Sequence, residues 1–330
     1  MRVVRVDPEH PDPEAIAPAA ALLREGGLVA FPTETVYGLG AHALEEKAVL
    51  RIYEAKGRPS FNPLIVHVAD VEGARRLVSA WPERAQRLAE VFWPGPLTLV
   101  LPRDRSVPDV VTAGLDAVAV RIPSHPVALA LLTAARVPVA APSANRFTRV
   151  SPTTAEHVVR SLGDRVDLVL DGGPTSVGIE STVLALTDDE ATLLRPGIVS
   201  AEQIAAVIGP LRGAAPVVPA GAPRASPGMV ERHYAPRAAV RLAEAPAEIA
   251  RLAREGIAEG QVVGALLRTP VPVDATHVVH LPDEPAGYAQ RLYASLHALD
   301  DVGCELIVVQ RVPSSGAWAG VHDRLERAAR

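Results

Sequence analysis

The chain is short of cysteine, lysine, asparagine and long apolar runs, and each shortage narrows what it can be. Cys304 is its single cysteine, so no internal disulfide forms and no cysteine-built zinc site is available. It opens the apolar run that ends at Val309 and reads as a small buried hydrophobe. No segment approaches the roughly 18 apolar residues of a membrane-spanning helix. The start, Met1-Arg2-Val3-Val4-Arg5, lacks the apolar stretch of a secretory leader. A soluble cytoplasmic protein is the expectation. Excess positive charge is missing as well: the formal net charge is -5 and the pI about 6.1. That argues against a dedicated nucleic-acid binder but leaves room for a local Arg/Lys cluster that holds a small anion.

Several catalytic signatures are absent too. There is no Gly-x-x-x-x-Gly-Lys-Ser/Thr loop, no Gly-x-Gly-x-x-Gly turn, no His-Glu-x-x-His pair and no Gly-x-Ser-x-Gly elbow. No protein nucleophile stands out. A site built for positioning and charge stabilisation is the remaining option.

The scarcity of Lys and Asn is itself informative. Lys47 and Lys56 are the only lysines, against 33 Lys+Arg in all, and Asn62 and Asn145 are the only asparagines. Lys is a compact point charge, whereas Arg is a planar multi-donor fork. A lysine retained by a chain that defaults to Arg marks a place where the fork does not serve. Lys47, in a charged helical stretch, reads as chance survival. The other three sit in Lys56-Gly57-Arg58-Pro59, Phe61-Asn62-Pro63-Leu64 and Ser143-Ala144-Asn145, and point to a site.

What is present is an α/β pattern. With 330 residues and 48% hydrophobic content, two domains with a substantial core are expected. Strands are expected at Leu28–Phe31, Leu64–Val68, Leu97–Leu101, Ala117–Ile122 and Leu168–Leu170. Helices are expected over residues 13–25, Glu45–Ala55, within Ala74–Phe92, over Val127–Arg136 and over Ala155–Ser161. The irregular connections predict a twisted mixed sheet with helices. From Gly209 to Pro236 the chain is rich in Pro, Gly and Ala and reads as a semi-rigid linker. Beyond it, strands at Val240–Ala243, Val262–Leu267, Val278–Leu281 and Leu306–Gln310 alternate with helices at Glu248–Arg254, Gly287–Leu299 and His322–Ala329. That is a small Rossmann-like α/β domain. The expected division is residues 1–208, a linker over 209–236 and residues 237–330.

Five segments could carry chemistry. Pro32-Thr33-Glu34-Thr35-Val36-Tyr37-Gly38-Leu39-Gly40 follows a strand and combines hydroxyls, one carboxylate and glycine. Lys56 and Arg58, two residues apart at a helix end, suit a polyphosphate, although cations at a helix C-terminus are also favourable without a ligand. Arg121, at the end of an apolar strand, must find an anion or water; a ligand carboxylate and a structural Asp are about equally good partners. Ala140 to Ser151 offers small residues with Ser and Asn donors. Gly178-Ile179-Glu180-Ser181-Thr182-Val183 pairs with Leu194-Arg195-Pro196-Gly197, and ordinary strand-edge polarity is the plain alternative for Glu180-Ser181-Thr182.

Taken in order, these segments, with Trp93-Pro94-Gly95-Pro96-Leu97-Thr98, resemble the YrdC-type threonylcarbamoyl-AMP synthases over about the first two thirds of the chain. Ser226-Pro227-Gly228-Met229 and His233-Tyr234-Ala235-Pro236 resemble the signature of the long form, which carries an extra C-terminal domain. The resemblance implies condensation of L-threonine, bicarbonate and ATP into threonylcarbamoyl-AMP and pyrophosphate. Downstream machinery then transfers the group to the tRNA adenosine beside the anticodon. It implies that Lys56, Arg58, Ser143 and Asn145 surround the phosphates. Arg58, Asn62, Ser143, Ser151 and Arg195 would hold ATP, and Tyr234 would reach back from the linker to close the site. Thr35, His67, Arg121 and Ser181 would hold threonine. Mg2+ would ride on phosphates and waters, with no protein metal site. One departure stands out: Val230 occupies a position where the long form commonly has Lys. A non-catalytic RNA-binding module and a carbamoyl-adenylating relative are the competing readings. The acidic pI disfavours the first, including direct RNA contact, and the lack of zinc fingers disfavours the second.

Overall fold

A computed structural model describes residues 1–212 and 233–330. Ten strands form the first sheet: β1 (Arg2–Arg5), β2 (Val29–Pro32), β3 (Tyr37–His42), β4 (Ile65–His67), β5 (Leu97–Pro102), β6 (Ala117–Arg121), β7 (Val139–Ala140), β8 (Leu168–Asp171), β9 (Thr182–Ala185) and β10 (Thr192–Arg195). Their order is β1-β8-β2-β3-β7-β4-β6-β5-β9-β10. The sheet is mixed, as the irregular connections imply: β4/β6 and β5/β9 run parallel, while β2/β3, β5/β6 and β9/β10 run antiparallel. Four further strands, β11 (Ala239–Ala243), β12 (Val263–Leu267), β13 (His277–His280) and β14 (Leu306–Gln310), make a second, wholly parallel sheet in the order β11-β14-β12-β13. Among the described residues no helix is long and apolar enough to cross a membrane.

Local chemistry explains the elements that carry the site. Helix Glu46–Lys56 stops because Gly57 takes the left-handed conformation (φ 61), and the Arg58 amide turns back to the Tyr53 carbonyl at 2.9 Å. This delivers Lys56 and Arg58 inward from one helix end. The Pro32–Gly40 segment is not a plain loop after a strand. It is a hairpin: Thr33 to Val36 turn the chain, and Tyr37 starts β3, paired back on β2. Thr33 Oγ1 holds the turn by donating to the Val36 carbonyl at 2.7 Å. Gly40 is required there by space, because a Cβ would lie 2.8 Å from both Phe31 and Val139.

Loops of the ten-stranded unit pack into the core of the C-terminal unit. Val36, Val150, Ile179 and Tyr234 pack in one buried cluster with Tyr288, Leu292, Tyr293, Val321 and Leu325 of the C-terminal unit. Of the expected linker, residues 213–232, and with them Val230, lie outside the described residues. Its described ends sit at Arg212, bridged to Thr192, and at His233.

Candidate functional site

One pocket gathers the ends of several strands. Eight of the sequence-derived residues line it: Thr35, Arg58, His67, Arg121, Ser143, Ser181, Arg195 and Tyr234. Lys56, Asn62, Asn145 and Ser151 lie outside that lining and are wholly buried. Lys56 Nζ donates to the main-chain oxygen of Ser143 at 2.6 Å and to that of Asn145. It therefore ties the helix end to the loop after β7. Burial, with Arg58 nearby, pushes its ammonium well below the usual lysine range. Asn145 in turn donates to the Arg146 and Arg149 carbonyls, both at 2.8 Å.

On one side of the pocket Arg121 donates from Nη1 to Thr35 Oγ1 at 3.0 Å and from Nε to the Gly95 carbonyl at 3.2 Å. The anion it needs is Glu34, not an Asp, at 2.7 Å. The other Glu34 oxygen accepts from the Ser124 amide at 3.2 Å. His67 is held neutral: burial, then Arg121 beside it, bring its pKa down to about 3. Ser181 Oγ meets Thr98 Oγ1 at 2.8 Å, and Arg195 donates to Ser181 Oγ at 3.2 Å.

On the other side lie Arg58, Arg195, His233 and Tyr234. Burial lowers the Arg58 guanidinium to about 10 and depresses Arg195 as well. Phe147 packs between Arg58, whose guanidinium is 5.9 Å from its ring, and His233, whose ring is 5.8 Å away. Several buried polar atoms have no partner among the described residues: Arg58 Nε, His233 Nδ1 and the Tyr234 hydroxyl on this wall, and both side-chain atoms of Asn62 and Asn145 Oδ1 outside the lining. An unmade buried hydrogen bond costs about 1–3 kcal/mol, so this wall is suited to a polar, anionic ligand.

Glu180 borders both sides. Its Oε1 accepts from Ser151 Oγ at 2.5 Å, and its Oε2 accepts from Tyr293 at 3.0 Å and from Arg324 at 2.8 Å. Burial alone would raise this carboxyl, but Arg324 and Arg195 outweigh it and hold it at about 2. The sequence reading named Glu34, Glu180 and His233 only within motifs and gave them no role. It missed Tyr293 and Arg324, whose only local signal is their place on amphipathic C-terminal helices.

Among the described residues no group of three His, Cys, Asp or Glu could hold a metal ion. Glu34 and Glu180 are both engaged by guanidinium groups.

A family model described as telomere recombination, for the Sua5, YciO and YrdC proteins, matches residues 21–197. A second, the C-terminal domain of threonylcarbamoyl-AMP synthase, matches residues 199–330. The threonylcarbamoyl-AMP synthase of Pyrococcus abyssi is 46% identical over 94% of this chain and 93% of its own length. That of Bacillus subtilis is 45% identical over 96% and 93%. The crystal structure of P. abyssi Sua5 complexed with L-threonine superposes with a TM-score of 0.95 at 43% identity, covering 100% of this chain and 98% of that one. With both family models matched in sequence order, and with relatives similar along nearly their whole length, the chain belongs to the YrdC-type threonylcarbamoyl-AMP synthase family in its long, two-part form.

Proposed function

We infer that this chain is an L-threonylcarbamoyladenylate synthase, with residues 1–208 as the catalytic domain, 209–236 as the linker and 237–330 as the C-terminal domain. The observation that carries the reading is the two-sided pocket: Arg121 with Thr35 on one wall, and Arg58 and Arg195 beside unpartnered buried polar atoms on the other. Arg121, Thr35, His67 and Ser181 receive threonine, with Arg121 turned to its carboxylate. Arg58, Ser143, Arg195 and Tyr234 line the side that receives ATP, and Asn62 and Ser151, buried behind that lining, complete its wall. Lys56 and Asn145 hold the Ser143 loop against the phosphates. Mg2+ enters on those phosphates and neutralises part of their charge.

The reaction needs no protein nucleophile. The threonine amine bonds to the carbon of CO2, formed from bicarbonate with loss of hydroxide, and the proton it sheds leaves with that hydroxide as water, giving a carbamate. A carbamate oxygen then bonds to the α-phosphorus as the bond from that phosphorus to the pyrophosphate oxygen breaks. Alignment and charge neutralisation are what such a displacement requires. Neutral His67 offers a ring nitrogen without adding charge beside Arg121. Cytoplasmic transfer of the product to tRNA is the onward step.

The test is pyrophosphate release from ATP and Mg2+ with L-threonine and bicarbonate omitted in turn. Release that needs both supports the synthase. Release without threonine would instead favour carbamoyl adenylation, and none at all a binding module.

A further inference from the structure

Glu180 belongs to the loop before β9, yet two of its three side-chain donors among the described residues come from the C-terminal unit. Tyr293 lies on helix Pro285–Asp301 and Arg324 on helix Ala319–Ala328. Arg324 is fully buried. Besides Glu180 Oε2 it reaches the Pro196 carbonyl at 2.9 Å and Asp323 at 2.9 Å, and its guanidinium lies 5.1 Å from the Tyr234 ring. Tyr234 stacks on Tyr293 at 5.9 Å. So one guanidinium touches the carboxylate that binds Ser151, the residue after Arg195, and the tyrosine that returns from the linker.

The docking leaves little room to slide. A Cβ on Gly320 would lie 2.7–2.9 Å from the Gly197 backbone, and one on Gly178 would lie 2.4–2.6 Å from Ala289 and Gln290 backbone atoms. Two backbone-to-backbone approaches therefore fix where Arg324 and Tyr293 stand relative to Glu180.

We propose that Arg324 and Tyr293 are positioning residues for nucleotide binding, through which the C-terminal unit sets Glu180 and, with it, Ser151 and Tyr234. The inference rests on the reading of Ser151 and Tyr234 as part of the ATP wall. The fork of an arginine fixes direction as well as charge, which a lysine at the same place cannot do. If the contacts only glued two units together, nucleotide affinity of the folded protein would not depend on them.

The experiment compares the full chain with Arg324→Lys and Tyr293→Phe. It measures melting temperature, ATP affinity by calorimetry well below the melt, and KM and kcat for pyrophosphate release with ATP and threonine varied separately. The expected result is an ATP Kd and KM raised about tenfold in Arg324→Lys and about threefold in Tyr293→Phe, the scale of one strained or lost hydrogen bond to a charged group, with a smaller change in the KM for threonine. A lowered melting temperature with unchanged ATP affinity would overturn the proposal. Should Arg324→Lys fail to fold, Tyr293→Phe, which removes one oxygen and keeps the ring stack, decides. A wild-type chain that binds ATP but releases no pyrophosphate sinks the synthase reading and leaves ATP affinity to judge the positioning claim. A wild-type chain that binds no ATP sinks both.

Discussion

Arg121 Nη2 lies 2.7 Å from Glu34 Oε1, with both side chains almost fully buried. An incoming carboxylate at Arg121 must share the guanidinium with this resident partner. Glu34→Ala strands a buried cation, and breaking such a pair costs about 3–5 kcal/mol. On the proposed reading, the threonine carboxylate replaces the missing anion. In thermal-shift measurements the variant is expected to melt lower than wild type and to gain more from saturating threonine. An equal gain in both proteins would count against Arg121 as the carboxylate site.

Lys56 joins two carbonyls inside the fold, those of Ser143 and Asn145. Lys56→Met removes both bonds, and a loss of about 2–4 kcal/mol is expected in denaturant titrations. Lys56→Arg should fare little better, because its wider planar head has no room at a 2% exposed position. Wild-type stability in Lys56→Arg would refute the idea that this site needs a point charge.

Acid should weaken the fold in two stages. Burial holds His67 and His157 at about 3 and depresses His233 and His297, against an ordinary value of 6.5. His157 and His297 stack at 3.9 Å across the two units, beside Arg160, Asp300 and Asp301. Below pH 6.5 the unfolded chain binds protons that the folded chain refuses, so stability falls as pH drops from 6.5 towards 3. Glu180, held at about 2 against 4.5, adds a second loss as pH falls from 4.5 to 2. Melting temperature recorded from pH 8 to 4 should decline below pH 6.5, and His157→Gln should flatten that slope. A flat wild-type profile from 6.5 to 5 would contradict the account.

Gly178 has φ +83 and no space for a methyl group, whereas Gly114 has φ +78 and nothing within 4 Å of its Cβ position. Gly114→Ala is expected to cost only about 1–2 kcal/mol, for the left-handed backbone. Gly178→Ala adds a collision with helix Pro285–Asp301 and should cost well beyond that, visible as a larger drop in denaturation midpoint. Equal losses would mean that the interface is soft at Gly178.

Apolar runs with good helix or strand propensity were legible in the sequence. Helix Pro13–Arg24, β5 and β14 lie within a residue or so of where composition places them. The misses share a cause. β3 reads Tyr-Gly-Leu-Gly-Ala-His, and its glycines look like a loop until Phe31 and Val139 are seen to occupy the space a Cβ would take. β7 is two residues long, and β10 is a half-exposed edge strand, so neither offers a period to count. At the site, rare residue types led to Lys56, Asn62 and Asn145. Arg324 was invisible because its partners, Glu180 and Pro196, are more than a hundred positions away.

Dividing the polypeptide after residue 208 would be an amputation through the pocket wall and not a cut between beads. Glu180 would keep Ser151 but lose both of its outside donors. Val36, Val150 and Ile179 would be laid bare as a greasy scar. The two matched halves are therefore expected to melt as one cooperative solid, and anyone transplanting the first half alone would have to furnish a substitute for the cation at Arg324.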